Sequence, residues 1–416
     1  MRIVSRPAFL WGCRIVDLSM GWAGPLATRH LADMGAEIIK VESCVRFDWF
    51  RGWESSQRWI NDNEAEKHEP FNALNRNKFD VTLDLSQRRG RDLLLRLVAV
   101  SDAVIENFAG DVLPKLNLGF EVFKAVKPEI VMVSMPGFGS TGPWSKYRAY
   151  GSTTEQAAGL PHLTGHPEHP PTMVHIALGD AVAGLNGASA MLVALRHLKR
   201  TGEGQFVDLS HSECLLPLGA HGIAEQSLTG VPPPRLGNRS RHCAPHGIYA
   251  CGDGRWLVVQ VQSEEQWRAL RGVLGGNVAG FGDLADRLER SDELDAAISG
   301  WCAHRPAADA MDSLQSAGVP AAGVAASKEL VADPHLQARH FWKILDRPYI
   351  GQHPNGVAPY RLQDGPLEIE WPAPTLGQHN REILGGLLGL SDAELADLER
   401  DGIIGNRPRL PGAVGG

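Results

Sequence analysis

Cysteine is scarce. The chain has six in 416 residues (Cys13, Cys44, Cys214, Cys243, Cys251 and Cys302), none of them in a C-x-x-C pair. That is too sparse for a disulfide framework and offers no zinc-ribbon spacing, so free thiols in a cytoplasmic protein are expected. Long apolar runs are missing too. None approaches the roughly 18 residues that span a bilayer, and no membrane partner is expected. The opening MRIVSRPAFLWG lacks the apolar stretch and small-residue cleavage site of a secretory signal. Positive charge is not in excess. With 41 basic and 48 acidic residues the net charge is −7, which argues against a nucleic-acid partner, since that needs a basic stripe. A single small anion held by a few local Arg and Lys remains compatible with this balance.

Glycine, by contrast, is plentiful at 46, and the apolar fraction of 43 % provides for a large core. Over the first 140 residues short apolar runs alternate with helical patterns. Strands are predicted at Arg14–Leu18, Glu37–Val41, Val81–Leu85, Ala103–Glu106 and Ile130–Ser134. Helices are predicted at Pro25–Met34 (with Pro25 in the first helical position), Gln87–Ala99 and near Glu121–Val126. This alternation implies parallel crossovers and a doubly wound sheet. A long helix with a small-residue face (Ala183, Gly184, Gly187, Ala188) is predicted over Asp180–Lys199, then a strand at Gln205–Leu209 and a helix through Cys214–Leu218. Near Gly230 the composition turns to Pro, Gly and Arg, the mark of a linker or loop. A shorter α+β pattern follows over 247–325, with a hairpin around Cys251–Arg255 and a capping box at Ser263–Gln266. The last 90 or so residues combine extended segments, a helix pair at Asn380–Leu388 and from Ser391, and the glycine-rich tail PGAVGG.

Several motifs have competing readings. GFGSTG at Gly137–Gly142 matches G-x-G-x-x-G after a strand, but no amphipathic helix follows it and the later acidic residue is missing, so a nicotinamide or flavin is not expected. His162, His166, His169 and His175 cluster around two prolines; without a supporting carboxylate pattern they read as a loop rather than a metal site, and no metal is expected. Asp180 has two readings at one position: a helix N-cap, or a carboxylate kept ionised by the helix dipole and available as a nucleophile, with Gly179, Ala181 and Gly184 leaving room for an electrophile.

Taken together, several stretches resemble the class III CoA-transferase family (formyl-CoA transferase, carnitine CoA-transferase; the CaiB/BaiF type). They are VDLSMGWAGPLATRHLADMGAEIIKVE, the NRNK-x3-TLDL segment at Asn75–Leu85, IENFAGDVLPKLNLG at Ile105–Gly119 and GFGSTGP. Further on come LGDAVAG and TGEGQ-x-VDLS within Leu178–Ser210, AGVPAAGV, DPHLQAR and LGQHNREIL. The resemblance implies an α/β fold: a Rossmann-like large domain, a smaller α+β domain, and two chains interlocked as a homodimer. On that pattern 1–225 forms the first part of the large domain, 226–325 the linker and small domain, and 326–416 the return and completion of the large domain.

The family nucleophile is an aspartate in G-D-x3-G, which Gly179, Asp180 and Gly184 match. The resemblance therefore implies CoA transfer from an acyl-CoA to a free carboxylic acid through an aspartyl-CoA thioester on Asp180. CoA is then a substrate, with no tightly bound cofactor. An unperturbed carboxylate, pKa near ~4, would suit the role. Family CoA contacts carry over onto Met20, Gly21, Trp22, Ala23, Asn77, Lys78, Asn107, Phe108, Lys115, Arg148 and Tyr150. Lys115 and Arg148 would meet phosphates, and Phe108 or Trp22 the adenine ring. Three departures stand out. Ser43 and Cys44 replace an arginine that some members carry, a duty Arg51 would share; the glycine-run shielding loop is absent, with 237–246 as its substitute; and the G-Y-D triplet reads Ala149-Tyr150-Gly151. The residues 162–175 and 235–241 are expected to line or cover the acceptor site. The rival readings are an α-methylacyl-CoA racemase of the same fold, whose histidine is missing from YRAYGSTTEQ, and a non-catalytic CoA-binding homologue.

Overall fold

Six short strands rich in Val, Ile and Met form one parallel sheet: β1 (Arg14–Asp17), β2 (Glu37–Glu42), β3 (Lys78–Thr82), β4 (Ala103–Glu106), β5 (Val131–Ser134) and β6 (Phe206–Asp208). The order is β3-β2-β1-β4-β5-β6, every neighbouring pair parallel. The order reverses between β1 and β4, and the loops that leave these two strands flank the crevice where doubly wound sheets bind ligands. The computed structural model describes residues 9–410 except Ser55, Val174, His175 and Asp364; the PGAVGG tail lies outside the described residues.

Because side chains alternate along a strand, the sheet buries two separate cores. On one face Ile15, Ile38, Ala103, Ile105, Val131 and Val133 pack against α1 (Ala23–Asp33) and the long helix Leu178–Thr201. On the other, Val16, Ile39, Val81, Val104 and Met132 pack against α2 (Arg88–Ala99) and α3 (Phe120–Val126). The second core also takes Ile383, Leu384, Leu395 and Leu398 from the end of the chain. The sheet is thus completed by residues some 300 positions away in sequence, as in Asp80 N–H donating to His379 Nδ1 (separation 299).

Four helices complete the part of the fold used below: α4 (Gly151–Ala157), α5 (Leu178–Thr201), α6 (His211–Leu215) and α7 (Ala220–Thr229). The buried side of α5 is Ala183, Gly184, Gly187, Ala188, Met191 and Ala194. A Cβ on Gly184 would stand 2.8 Å from the Ala23 carbonyl oxygen, so glycine there sets how closely α5 approaches α1. By length and composition alone α5 is apolar enough to cross a membrane, but its small-residue face is spent on this packing.

Some elements differ from the sequence expectation. Helix α1 starts two residues early, placing Pro25 third, where an N–H would have no intrahelical partner in any case. Strand β3 begins at Lys78 instead of Val81, because Lys78 and Asp80 are buried and compensated by partners. The predicted helix at Asn380–Leu388 is a π-helical turn over Arg381–Leu387, with Leu388 N–H donating to the Ile383 carbonyl.

The chain divides into two compact units, the first made of 1–160, 173–220 and 335–416, the second of 161–172 and 221–334. The second contains α7 and an antiparallel sheet of β7 (His246–Ala250), β8 (Trp256–Gln260) and β9 (Ala321–Gly323). Leu257, Val259, Trp267, Leu270, Ile298, Trp301 and Leu314 form its core. Segment 161–172, assigned by sequence to the large domain, belongs to this second unit.

Candidate active site

The crevice is lined on one side by the loop from β1 to α1, which internal polar groups hold rigid. Buried Asp17 accepts from Ser19 N–H (2.9 Å), and Lys40 Nζ donates to the Ser19 carbonyl (2.7 Å). Asp48 accepts from Gly21 N–H (2.9 Å). Gly21 has φ +73, and Trp49 lies so close over it that any Cβ would overlap the indole. The Asn107 side chain ties this loop to the one leaving β4, accepting from Met20 N–H (2.9 Å) and donating to the Met20 carbonyl (2.8 Å). Met20, Gly21, Trp22, Ala23, Asn107 and Phe108 are thus brought together at the switch point. The Asn107 amide is used to staple the loops, and Phe108 packs partly into the core.

Lys115 and Arg148, both exposed, gather around Asp111, which lies below the usual carboxylate range through the Lys115 hydrogen bond, with Arg148 adding to the effect. Exposed Tyr150 sits 5.8 Å from the Trp49 ring.

Three expected contacts lie elsewhere. Arg51 is wholly buried and pairs with Glu42 (2.8 Å), Glu66 (2.9 Å) and Asp80 (3.4 Å), so it presents nothing to a phosphate. Lys78, equally buried, donates to Asp17 (3.2 Å), Asn75 (2.8 Å) and the Pro25 carbonyl (3.0 Å). Asn77 binds Asp33 and the backbone of Glu368, Glu370 and Trp371. These cations and amides are internal because fixed carboxylates and carbonyls there take the place of water.

Asp180 is the third residue of α5, not its cap. The cap position falls on Ala177, left-handed at φ 49 and without a side-chain bond. Freed from capping, the Asp180 carboxylate turns to α4, where Oδ2 accepts from Gly151 N–H at 3.1 Å. A Cβ on Gly151 would stand 2.3 Å from Oδ2. The other oxygen, Oδ1, lies 4.0 Å from His211 Nδ1, and the Asp180 side chain keeps 17 % exposure. Burial pushes the carboxyl up to about 6; the Gly151 hydrogen bond opposes this and Glu155 adds to it. The expectation of an unperturbed carboxylate is corrected on this point, since desolvation outweighs the backbone bond. At neutral pH the group is still mostly ionised.

Two neighbours of Asp180 escaped the sequence reading. Buried Glu155 accepts from Gly179 N–H (3.0 Å), one of the unpaired donors of the first turn of α5. His211 opens α6, three residues past β6, and is 6 % exposed. The available signal for it was position alone: a polar residue just beyond the carboxyl end of a strand in a doubly wound sheet.

The GFGSTG loop offers its Ser140 N–H to Asp208 at 2.9 Å, so a carboxylate already occupies the donor a pyrophosphate would need. In the second unit Arg235 holds the carbonyls of His166 and His169. His166, Pro167, Gly237, Arg239, His246 and Tyr249 help line a cavity of ≈ 350 Å³ there. His175 lies outside the described residues, and among the described residues no His, Cys, Asp and Glu group has metal-ligand geometry.

Comparison with known proteins shows the family. A family model described as CoA-transferase family III matches residues 10–380. A succinyl-CoA–D-citramalate CoA-transferase of Chloroflexus aurantiacus is 35 % identical over 401 residues, spanning 94 % of this chain and 97 % of its own. A succinate–glutarate CoA-transferase of Agrobacterium fabrum is 32 % identical over 404 residues, spanning 94 % and 96 %. The solved structure of a CaiB/BaiF family protein from Brucella suis matches with a TM-score of 0.81 at 30 % identity, covering 92 % of this chain and 100 % of that one. Matched over nearly its whole length, the chain belongs to CoA-transferase family III and is a CoA-transferring enzyme.

Proposed function

We propose that the enzyme moves CoA from an acyl-CoA to a free carboxylic acid by covalent catalysis on Asp180. The observation that carries this is a half-buried carboxylate with one oxygen fixed by Gly151 N–H and the other free of any short hydrogen bond. Oδ1 attacks the thioester carbonyl, forming a mixed anhydride and expelling CoA thiolate. The thiolate attacks the Asp180 carbonyl carbon, giving the aspartyl-CoA thioester and releasing the donor acid together with Oδ1. The acceptor carboxylate attacks that thioester, restoring an anhydride and freeing thiolate. Attack on the acceptor carbonyl then yields the new acyl-CoA and the Asp180 carboxylate. Throughout, the oxygen left on the aspartyl carbon occupies the Oδ2 position, where Gly151 N–H stabilises the charge that develops in each addition.

The loops at Met20–Ala23 and Asn107–Phe108, with Lys115, Arg148 and Tyr150, are the proposed CoA surface, in a large domain of Rossmann-like type. Two dicarboxylate-named relatives make succinate, glutarate and citramalate the first acids to try. A cytoplasmic homodimer is part of the proposal. Exposed apolar side chains on α5 (Leu185, Val193) and α7 (Ile223, Leu228) support self-association. The racemase reading is not favoured. Two-base chemistry needs the substrate carbon between its acid and base, and His211 lies too close to Asp180 to admit one.

The test is an acyl-CoA and acid panel read by mass spectrometry, with hydroxylamine trapping during turnover. Wild-type enzyme should carry the label on Asp180, and Asp180→Ala should lose transfer while still binding CoA. Turnover by Asp180→Ala, or a label elsewhere, overturns the assignment.

A further inference from the structure

His211 has no part in the family pattern described above, yet its ring faces the reactive oxygen. Its backbone is fixed at the carboxyl edge of the sheet: His211 N–H donates to the Pro136 carbonyl (3.3 Å), and Ser212 N–H to the Gly137 carbonyl (3.0 Å). Ser210 caps α6. The ring is therefore held by backbone and burial, with little freedom to turn away.

One ring nitrogen, Nε2, is buried without a partner among the described residues. Leaving an imidazole nitrogen in this state is unfavourable, least so if it is the one without a proton. The tautomer that leaves the buried Nε2 as the nitrogen without a proton puts it on Nδ1, the nitrogen 4.0 Å from Asp180 Oδ1, and we assign it there. Burial drives the ring's pKa down to about 4, with the Met135 backbone opposing, so it is uncharged at neutral pH.

We infer that His211 is a further catalytic residue, whose Nδ1–H hydrogen-bonds the carboxylate oxygen of the acid substrate at the Oδ1 position of Asp180. The inference rests on the covalent cycle proposed above. In that cycle Oδ1 leaves with the donor acid, and an oxygen of the acceptor takes its place. An N–H aimed at that position steadies the departing carboxylate and orients the arriving one. Being neutral, it does so without the strong pairing that would blunt a carboxylate nucleophile. The present 4.0 Å is beyond hydrogen-bond length, and such contacts tighten in the reacting complex.

The test compares His211→Leu, which removes the N–H, with His211→Asn, which places an amide N–H near the Nδ1 position. Steady-state kinetics are measured with succinyl-CoA as donor and glutarate, citramalate or the best acid from the panel as acceptor. His211→Leu should raise the acceptor KM at least about tenfold and lower kcat by about 10²-fold, the usual effect of losing one such donor. The acyl-CoA KM should stay within about twofold, and His211→Asn should recover most of the loss. Unchanged acceptor kinetics in the leucine variant overturn the inference, as does an asparagine variant no better than leucine at equal thermal stability. Labelling of Asp180 in wild-type enzyme is scored separately. If it fails, the covalent cycle is wrong; if it succeeds and rescue fails, only the role of His211 is.

Discussion

At Asp180 catalysis and stability oppose each other. Its folded-state pKa is raised from the usual 3.8 to about 6, so the fold favours the protonated form. The penalty is absent below about pH 4, grows as pH rises through the folded-state value, and is complete at neutral pH. At 1.36 kcal/mol per pH unit it comes to roughly 3 kcal/mol. Asp180→Asn should therefore abolish transfer yet unfold at higher urea than wild type at pH 7.5, by up to about 3 kcal/mol, with the gain vanishing near pH 4. Since the nucleophile is the ionised form, the rate of acyl-enzyme formation should rise with pH around a midpoint near 6; a midpoint near 4 would contradict the desolvated site. Asp180 itself was legible from G-D-x3-G, but its raised pKa was not, because desolvation comes from residues distant in sequence. Arg51, Asn77 and Lys78 turn inward for a reason equally hidden from sequence: a polar side chain beside a loop looks identical there whether it faces solvent or a buried carboxylate.

Among the elements, the meeting of α4, α5 and α1 sets the geometry, and glycines make it possible. Gly151 brings the α4 backbone within hydrogen-bond reach of Asp180. A methyl group there would overlap Oδ2, so Gly151→Ala should lower kcat by about 10²-fold or more, the scale of a lost oxyanion donor. Its melting temperature should fall as well, because the same Cβ would stand 2.8 Å from the Asp180 backbone nitrogen, which cannot swing aside as the carboxylate can. Gly184→Ala should cost stability without touching the nucleophile. Its Cβ would meet the Ala23 backbone oxygen, which cannot move alone, so the expected cost is about 1–3 kcal/mol in thermal unfolding. Most helices and strands were legible from apolar periodicity. The exceptions were elements whose stability comes from elsewhere in the chain: the charged start of β3, balanced by buried partners, and the π-turn at Arg381–Leu387, which packs its Ile383 and Leu384 into the sheet's core.

At the scale of the first compact unit, a buried charge network joins segments from both ends of the chain. Glu66 accepts from Arg51 Nη1 (2.9 Å), from Arg347 Nη2 (2.8 Å) and from Leu376 N–H (3.0 Å). Arg51 continues to Glu42 and Asp80, and Asp80 Oδ1 accepts from Gly377 N–H (2.6 Å). Burial, then the neighbouring Glu42, pushes Asp80 well above the usual carboxylate range, so part of the excess negative charge in the cluster is neutralised by a proton. The sequence reads this arginine as a phosphate ligand and the structure as a rivet between the sheet and the returning chain, and the two roles predict different losses. A ligand role makes Arg51→Gln raise the acyl-CoA KM with stability intact. The buried role makes it destabilise the fold by about 3–5 kcal/mol, the scale for stranding a buried partner, with KM unchanged in whatever fraction remains folded. Glu66→Gln should share that signature, because Arg347 loses the carboxylate it pairs with and Arg51 loses one of its three. Urea unfolding beside KM measurements on both variants decides the question, and a raised KM at wild-type stability for Arg51→Gln would return that residue to the CoA site.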